Sequence, residues 1–220
     1  MKIDILTLFP EMFEGPFGTS MLKKAQDEKL VEINIHNLRK WSKDKHKTVD
    51  DRPYGGGPGM VLMIGPIDSA IKELITKNSK VILTSAKGKT YSQPTAQKLS
   101  KEKHLIIIAG HYEGVDERVA KHLVDEELSV GNYILTGGEI PAMIMVDSIV
   151  RLIPGVLGNP DSLSEESFSP PATHLQTSTN TEYPQYTRPE IYKGWKVPKV
   201  LLSGNHAEIE KWRDKNSKKL

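Results

Sequence analysis

The segment IIIAGHYEGVDER, Ile106 to Arg118, joins an apolar run to a cluster of aromatic, acidic and basic residues. The apolar run is typical of a buried strand that ends at Gly110, and Gly114 with Asp116 is typical of a turn and a helix N-cap. Ligands of open α/β sheets bind beyond the carboxyl ends of the strands, so this junction is a candidate functional site. For Asp116 and Glu117 taken alone, the favourable electrostatics of a helix start is the simpler explanation.

Strand-like and helical segments alternate on both sides of this junction. The strand-like runs are Ile3–Leu8, Val31–His36, Lys80–Thr84, Leu105–Ala109 and Ser129–Leu135. The segments with helical periodicity are Ser20–Glu28, Pro66–Thr76, Ser92–Ser100, Asp116–Leu123, Pro141–Val150 and Ala207–Lys215. This alternation predicts an α/β fold with a largely parallel sheet.

The composition is that of a globular protein and excludes several classes of site. Of the 220 residues, 37% are hydrophobic and 26% are charged, and no apolar run approaches the roughly 20 residues that span a bilayer. The absence of cysteine excludes disulfide frameworks, thiolate zinc sites and cysteine nucleophiles. The first residues lack the features of a signal peptide, so we expect a soluble, cytoplasmic protein with no membrane partner.

Charge gives only local indications of a partner. The net charge of +2 is too small to identify a nucleic-acid-binding protein. Basic residues are clustered between Arg39 and Lys47 and again between Lys211 and Lys219. Either cluster could contact RNA, although a solvated surface is the simpler explanation of each cluster alone.

The composition also divides the chain into three regions. Residues 1–158 contain the alternating strands and helices, whereas residues 159–189 are rich in serine, threonine and proline, which is typical of a linker or a mobile loop. Residues 190–220 contain one short amphipathic helix and a basic tail. We therefore predict a larger α/β domain, a linker and a small C-terminal domain.

Two further glycine-containing segments could bind a ligand through their backbone. RPYGGGPGM, Arg52 to Met60, predicts a loop that holds a phosphate or a ribose, or that is only a structural turn. The double glycine of SVGNYILTGGE, Ser129 to Glu139, would let an adenine or ribose lie against bare backbone, with a plain turn as the alternative. No GxGxxG, HExxH or GxSxG motif occurs, which disfavours dinucleotide, zinc-protease and α/β-hydrolase sites.

Together, these segments resemble the bacterial tRNA (guanine-N1)-methyltransferase family, the TrmD family of the SPOUT class. The resemblance covers nearly the whole chain, and ordered matches of this length are highly specific. The matching motifs are TLFPEMF at Thr7–Phe13, HKTVDDRPYGGGPGMV at His46–Val61, GHYEGVDER at Gly110–Arg118, SVGNYILTGGE at Ser129–Glu139, DSIVRLIPGVLG at Asp147–Gly158, YTRPE at Tyr186–Glu190 and VPKVLLSGNHAEIEKWR at Val197–Arg213.

The resemblance implies an α/β methyltransferase domain with a trefoil knot and a parallel sheet, together with a small helical C-terminal domain that grips tRNA. Periodicity alone predicts an unknotted sheet, because knots are rare. The family also implies a homodimer with a shared active site. The expected reaction transfers a methyl group from S-adenosylmethionine to N1 of the guanosine 3′-adjacent to the anticodon, tRNA position 37. A magnesium requirement is suggested by the family, but the sequence shows no cluster of metal ligands.

The resemblance also assigns binding residues. The expected cofactor-binding residues are Ser85, Gly110, Tyr112, Glu113, Ser129, Val130, Gly131, Tyr133, Leu135, Gly137, Gly138 and Ala142. Glu113 would lie beside the sulfonium of a bent S-adenosylmethionine, and the loop from Tyr54 to Gly59 would help to close the site. The expected substrate-RNA residues are His46, Asp50, Tyr54, Gly55, Gly56, Gly57, Arg188, His206 and Arg213.

The expected reaction needs a base, because N1 of guanine carries a proton at neutral pH. The resemblance assigns this role to Glu166, where the family has aspartate, and the neighbouring Glu165 is a rival candidate; a solvated loop acid is the alternative for Glu166. Arg151 would stabilise the negative charge that develops on the guanine near O6, with an ordinary helix-end cation as its structural alternative.

The chain departs from the family pattern at several points. His111 replaces a common arginine, Asn132 replaces a common aspartate, and the linker between Phe168 and Tyr186 is longer than usual. The chain also ends soon after Arg213. An active tRNA methyltransferase is the first hypothesis; the alternatives are a catalytically impaired RNA-binding protein of the same fold and a methyltransferase that acts on another RNA.

Overall fold

The computed structural model describes residues 1–158, 167–168 and 180–219. The chain forms two compact units, Met1–Gly158 and Asn159–Leu220. In the described part of the chain, no helix is long and apolar enough to cross a membrane.

The larger unit is built on a parallel sheet. Its strands are β1 (Lys2–Thr7), β2 (Glu32–Asn37), β5 (Ser79–Thr90), β6 (His104–Ala109) and β7 (Glu126–Ser129). They form a five-stranded sheet in the order β2-β1-β6-β5-β7, and every neighbouring pair is parallel. A short antiparallel pair, β3 (Asp50–Asp51) and β4 (Val61–Leu62), comes between β2 and β5 in sequence. The predicted α/β fold with a parallel sheet is therefore confirmed.

Helices pack on both faces of this sheet. They are α1 (Glu14–Phe17), α2 (Ser20–Asp27), α3 (Ile64–Leu74), α4 (Gln93–Leu99), α5 (Glu117–His122) and α6 (Glu139–Val150), with 3-10 turns at Pro10–Phe13 and Leu38–Trp41.

A hydrophobic core lies on each face because side chains alternate along the central strands. On β6, Leu105 and Ile107 pack on one face with residues of α2, α4 and α6, whereas Ile106 and Ile108 pack on the other with residues of α3 and α5. Every residue of β6 is buried. A parallel strand that is buried on both faces reads as a continuous apolar run, which makes this segment recognisable in the sequence.

A polar cluster is buried near the amino ends of β1, β5 and β6. Asp4 is fully buried, and its carboxylate lies 2.8 Å from His36 Nε2 and 2.6 Å from His104 Nε2. Lys2 Nζ lies 2.9 Å from the same carboxylate, and Ser79 Oγ lies 2.7 Å from His104 Nδ1. Burial raises the pKa of Asp4, but the hydrogen bonds from His36, Lys2 and His104 outweigh burial and hold the pKa well below its usual range.

The smaller unit contains short elements among its described residues. β9 (Ile191–Tyr192) and β10 (Trp195–Lys196) form a hairpin, and β8 (Asn180–Thr181) pairs with β11 (Lys218–Lys219). The helices are α7 (Lys199–Leu202) and α8 (His206–Asn216). The helix predicted at Ala207–Lys215 is thus confirmed, and Asn205 caps it by accepting from Glu208 N–H at 3.4 Å. Residues 159–166 and 169–179 of the predicted linker lie outside the described residues.

The strand predicted at Ser129–Leu135 is wrong. Strand β7 comes earlier, at Glu126–Ser129, and residues 130–138 form a loop. Hydropathy misses β7 because its first half is acidic. The Glu126 carboxylate lies 2.7 Å from Lys98 Nζ and 3.1 Å from Lys80 Nζ, so ion pairs with neighbouring elements hold a polar residue in this edge strand.

Two predicted helices begin earlier than expected. Helix α6 begins at Glu139 and not at Pro141, and α3 begins at Ile64 and not at Pro66. The first N–H groups of a helix have no partner within the helix, so proline is tolerated anywhere in the first turn. Proline in these segments therefore marks the first turn of the helix and not its first residue.

Candidate active site

A cavity of about 310 Å³ opens where β6 and β7 end and where the pairing of β5 becomes irregular. Most of its wall comes from residues 83–87, residues 110–115 and residues 127–138. The carboxyl ends of parallel strands are the usual ligand-binding edge of such a sheet. The junction that follows the apolar run of β6 therefore lies at a cavity, as the sequence predicts.

Glycines allow two of these segments to approach each other closely. The N–H of Gly138 donates to the C=O of Gly110 at 2.6 Å. A Cβ on Gly138 would overlap Thr84 Oγ1 and would lie 2.5 Å from Gly110 N. Thr84 is itself fixed, because its Oγ1 donates to the C=O of Ile108 at 3.1 Å. The second glycine of the Thr-Gly-Gly turn is therefore required by backbone packing at the cavity wall.

A carboxylate is buried behind the same turn. Glu139, the first residue of α6, is 1% exposed. Its Oε1 accepts a hydrogen bond from Thr7 Oγ1 at 2.9 Å, and its Oε2 lies 3.3 Å from His111 Nδ1. Sequence reasoning misses this residue, because an acid in the first turn of a helix is common and gives no sign of burial.

The glycine-rich segment RPYGGGPGM forms an exposed loop beside the cavity, in agreement with the predicted loop. The C=O of Met60 accepts from the N–H of Glu113 at 3.0 Å, and the C=O of Gly114 accepts from the N–H of Leu62 at 3.0 Å. Gly59 has a φ of +77°, and a Cβ there would overlap the Glu113 carboxylate. The loop is thus held against the segment that carries Glu113.

Comparison with known proteins gives one consistent result. The family model described as tRNA (Guanine-1)-methyltransferase TrmD matches residues 1–220. The tRNA (guanine-N(1)-)-methyltransferase of Dictyoglomus turgidum is 56% identical over 219 residues, which cover 100% of this chain and 86% of that protein. The Bacillus subtilis protein of the same name is 54% identical over 220 residues, 99% of this chain and 87% of that protein. This chain belongs to the tRNA (guanine-1)-methyltransferase family. The resemblance found in the sequence is therefore confirmed.

The cavity gathers most of the cofactor-binding residues expected for a member of the tRNA (guanine-1)-methyltransferase family. Eleven of the twelve line its wall: Ser85, Gly110, Tyr112, Glu113, Ser129, Val130, Gly131, Tyr133, Leu135, Gly137 and Gly138. Ala142 instead lies fully buried in the core, because it is on the face of α6 that packs against the sheet. Its neighbour Pro141 lines the cavity in its place.

The expected catalytic residues are only partly described. Glu166 and its rival Glu165 lie outside the described residues. Arg151 follows the last residue of α6, and its N–H donates to the C=O of Asp147 at 3.2 Å. This position also suits the structural alternative, because a cation at a helix C-terminus is favoured by the helix dipole.

The expected RNA residues of the larger unit are exposed, except for Asp50. His46 is exposed in a turn organised by Asp44, whose carboxylate accepts from His46 N–H at 3.0 Å and from Thr48 N–H at 2.8 Å. Hydrogen bonds from Ser42 and Thr48 lower the pKa of Asp44. Asp50 is half-buried in β3, opposite Leu62, whereas Tyr54, Gly55, Gly56 and Gly57 are exposed.

The expected RNA residues of the smaller unit differ in exposure. Arg188 and His206 are exposed. Arg213 is half-buried, and its guanidinium carbon lies 4.7 Å from the centre of the Tyr183 ring. A cation over an aromatic face is a stabilising contact, so Arg213 contributes to the packing of its unit.

A metal site was not expected from the sequence. Within residues 1–158, 167–168 and 180–219, no group of three or more histidine, aspartate or glutamate side chains is arranged to hold a metal ion.

Proposed function

We propose that this protein transfers a methyl group from S-adenosylmethionine to N1 of the guanosine 3′-adjacent to the anticodon of tRNA, position 37. The observation that carries the proposal is the cavity formed by three strand-end segments, in a chain that belongs to the tRNA (guanine-1)-methyltransferase family. Relatives that share about half of its residues are named tRNA (guanine-N(1)-)-methyltransferase, which agrees with methylation at N1 of a guanine in tRNA.

The chemistry of the cavity suits the methyl donor. Its volume of about 310 Å³ lies at the lower end of the roughly 300–1,000 Å³ typical of small-molecule sites. Gly137 and Gly138 line the cavity and can contact the flat adenine and the ribose, and the Glu113 carboxylate can face the positive sulfonium. When bound, S-adenosylmethionine supplies a methyl group that is activated by its sulfonium.

The protein supplies the proton transfer and the charge stabilisation. We assign Glu166 as the base that removes the N1 proton of guanine, and Arg151 as the group that stabilises the resulting negative charge near O6. The structure describes the residue next to the assigned base: Ser167 N–H donates to Glu182 Oε1 at 3.2 Å, and Ser167 Oγ accepts from Glu182 N–H at 3.0 Å. Ser167 is thus hydrogen-bonded to the segment that begins at Asn180.

The proposed function includes a homodimer. Most residues of helix α6 are apolar, and the face with Ala142, Met145 and Ile149 packs in the core. On the opposite side, Ile140 is 43% exposed and Ile144 is 42% exposed, and Met12 of the first 3-10 turn is also exposed. Large apolar side chains that are exposed together indicate an interaction surface, so we assign a second copy of this chain to this face.

Several family properties complete the proposal. We assign residues 1–158 to cofactor binding, residues 159–189 to a linker and residues 190–220 to tRNA binding. A trefoil knot in the larger unit, a cytoplasmic location and a requirement for Mg²⁺ stay predictions. If Mg²⁺ is required, the tRNA phosphates are its expected ligands, because the described residues offer no cluster of carboxylates.

Methyl transfer can be tested directly. The purified protein is incubated with labelled S-adenosylmethionine and an unmodified tRNA that has guanosine 3′ of the anticodon, and the methylated nucleoside is mapped. We expect label at N1 of that guanosine, and none on a tRNA with adenosine there. If S-adenosylmethionine binds but no label is transferred, the chain is an impaired RNA-binding relative; label only on ribosomal RNA fragments would indicate another substrate.

A further inference from the structure

The carboxylate of Glu139 is buried directly behind the cavity wall. An isolated charge in the protein interior is strongly unfavourable unless it is paired. Glu139 has two partners from different parts of the chain, Thr7 at the end of β1 and His111 just beyond β6. Thr7 Oγ1 also accepts from the N–H of Phe9 at 3.0 Å, so the carboxylate ends a chain of hydrogen bonds that begins in the backbone.

His111 and Glu139 lie where two segments of the cavity wall meet. His111 and Gly137 form an antiparallel bridge between residues 110–115 and residues 130–138. A Cβ on Gly137 would overlap Glu139 Oε2 and would lie 2.5 Å from His111 Nδ1. The first glycine of the Thr-Gly-Gly turn is therefore packed against both members of the pair.

The ring of His111 is held from two sides. Its centre lies 4.7 Å from the Phe9 ring and 4.8 Å from the Tyr112 ring, with the Tyr112 ring nearly perpendicular. Tyr112 has a φ of +59°, a backbone conformation that is uncommon for a tyrosine. Tyr112 and Glu113 follow His111 directly and line the cavity, so a shift of the backbone at His111 would move both residues.

We propose that His111 and Glu139 form a positioning pair that fixes the two loops in the geometry that binds the methyl donor. Neither residue is assigned as a group that reacts with the substrate. The pair acts by holding Gly137, Gly138 and Tyr112 in place. This inference rests on the proposed function, because it takes the cavity to be the S-adenosylmethionine site. A histidine serves here because its Nδ1–H can donate to Glu139 Oε2 while its ring packs against Phe9.

Three variants of the full-length protein separate this role from simple burial of a charge. His111→Phe keeps an aromatic ring but removes the hydrogen bond to Glu139, which is called the link below. Glu139→Gln keeps the link, because its amide can bond Thr7 and, in the other histidine tautomer, His111. The double variant removes both the link and the buried charge, and so provides a folded protein if His111→Phe alone is unstable. Each is titrated with S-adenosylmethionine and with S-adenosylhomocysteine by calorimetry, and its melting temperature is measured without ligand.

We expect His111→Phe and the double variant to bind both ligands about tenfold more weakly than wild type, as the loss of a hydrogen bond to a charged group predicts. Glu139→Gln is expected to stay within about threefold of wild type. In turnover assays the KM for S-adenosylmethionine rises, while kcat at saturating donor changes less. Wild-type affinity in His111→Phe overturns the proposal. Recovery of affinity in the double variant also overturns it, because the defect then comes from the unpaired charge and not from the lost link.

His104→Phe is the matched control. His104 is also buried against a carboxylate, Asp4, but at the amino end of β6, away from the cavity. We expect this variant to lower the melting temperature without changing the affinity for S-adenosylmethionine. Equal loss of affinity in His104→Phe and His111→Phe contradicts a local role for the pair. If the wild-type protein binds neither ligand, the proposed function fails first, independently of the variants.

Discussion

Two carboxylates, Asp4 and Glu139, are buried at opposite ends of the sheet, and each contacts a histidine. Asp4 lies near the amino ends of the strands, and none of the described residues that line the cavity is found there. Its carboxylate, on β1, contacts side chains of β2 and β6. Similar chemistry therefore has two uses in one chain. Near the amino ends it stabilises the fold, and near the carboxyl ends it is placed to shape a ligand site.

Asp4 should make folding stability depend on pH. Its pKa is lowered in the folded protein, so its contribution is complete above the unfolded-state pKa of about 4 and is lost as the pH falls further. We expect Asp4→Asn to lower the free energy of unfolding by about 3 kcal/mol at pH 7, as for removal of one partner of a buried ion pair. Urea denaturation from pH 7 to pH 3 should show the gap between wild type and variant narrowing below about pH 4.

Asp27→Asn is the control for this prediction. Asp27 pairs with Lys23 at 2.6 Å, but both side chains are exposed, so the expected loss is below about 1 kcal/mol. A gap for Asp4→Asn that stays constant down to pH 3 contradicts the assignment, because the lowered pKa would then contribute nothing to stability.

The base of the proposed reaction gives a second residue-level prediction. We expect Glu166→Gln to lower kcat by about 100-fold or more, the usual contribution of general base catalysis, and to remove the acidic limb of the pH profile. Glu165→Gln should leave both kcat and the pH profile unchanged. The measurement is single-turnover methyl transfer between pH 5 and pH 9, with the affinity for donor and tRNA measured separately. If neither variant loses activity, the base is not a carboxylate of this pair.

At the scale of the elements, the Thr-Gly-Gly turn before α6 should tolerate no side chain at its second glycine. Gly138→Ala places a Cβ onto Thr84 Oγ1 and next to Gly110 N, which forces the turn away from β6. We expect S-adenosylmethionine binding to weaken at least tenfold, because the displaced turn carries cavity residues and the loss of about 1.4 kcal/mol of contacts corresponds to tenfold in affinity. Isothermal titration measures the loss.

Gly65→Ala is the matched control for this substitution. No atom lies within 4 Å of a Cβ at Gly65 in α3, and alanine favours a helix over glycine by about 1 kcal/mol. This variant should bind the donor normally and melt at a slightly higher temperature. Normal binding by Gly138→Ala would show that the turn can move away from Gly110 without loss of the site.

The elements that the sequence predicts well are those whose hydrophobic pattern alone identifies them. Strand β6 is predictable because both of its faces are buried, and β5 is predictable only up to Thr84, because residues 85–90 are polar and partly exposed. Strand β7 is misplaced in the prediction because ion pairs, and not apolar side chains, hold Glu126. The Thr7–Glu139 hydrogen bond joins residues 132 positions apart, so no local pattern can reveal it.

The candidate site is predictable for a different reason. Its wall contains five glycines, Gly110, Gly114, Gly131, Gly137 and Gly138, and glycines that allow close approach of the backbone are recognisable in the sequence. The identity of the ligand came from resemblance to a family, and not from periodicity or spacing. Glu166 lies outside the described residues, so its role as the base stays a prediction.

At the scale of the whole molecule, the exposed isoleucines on the outer face of α6 predict the oligomeric state. The double variant Ile140→Ser, Ile144→Ser removes two large side chains from the assigned interface. We expect it to sediment as a monomer at concentrations where the wild type is a dimer, and to lose methyl transfer if the active site is shared. Ile75→Ser, at the end of α3, is the control, since Ile75 is equally exposed but distant in the fold. A wild type that sediments as a monomer contradicts the assignment.

Substitutions of the two arginines of the smaller unit, Arg188 and Arg213, should have different effects on tRNA binding and on stability. Arg188 is exposed, so Arg188→Ala should weaken tRNA binding and reduce the slope of log K against log salt by about 1, because one fewer phosphate is neutralised. Arg213 covers the Tyr183 ring, so Arg213→Ala should also lower the melting temperature. Lys23→Ala, which removes a cation already paired with Asp27, should leave the slope unchanged. An unchanged slope in Arg188→Ala, even with weaker binding, would exclude a phosphate contact and would leave Arg188 with a local structural role.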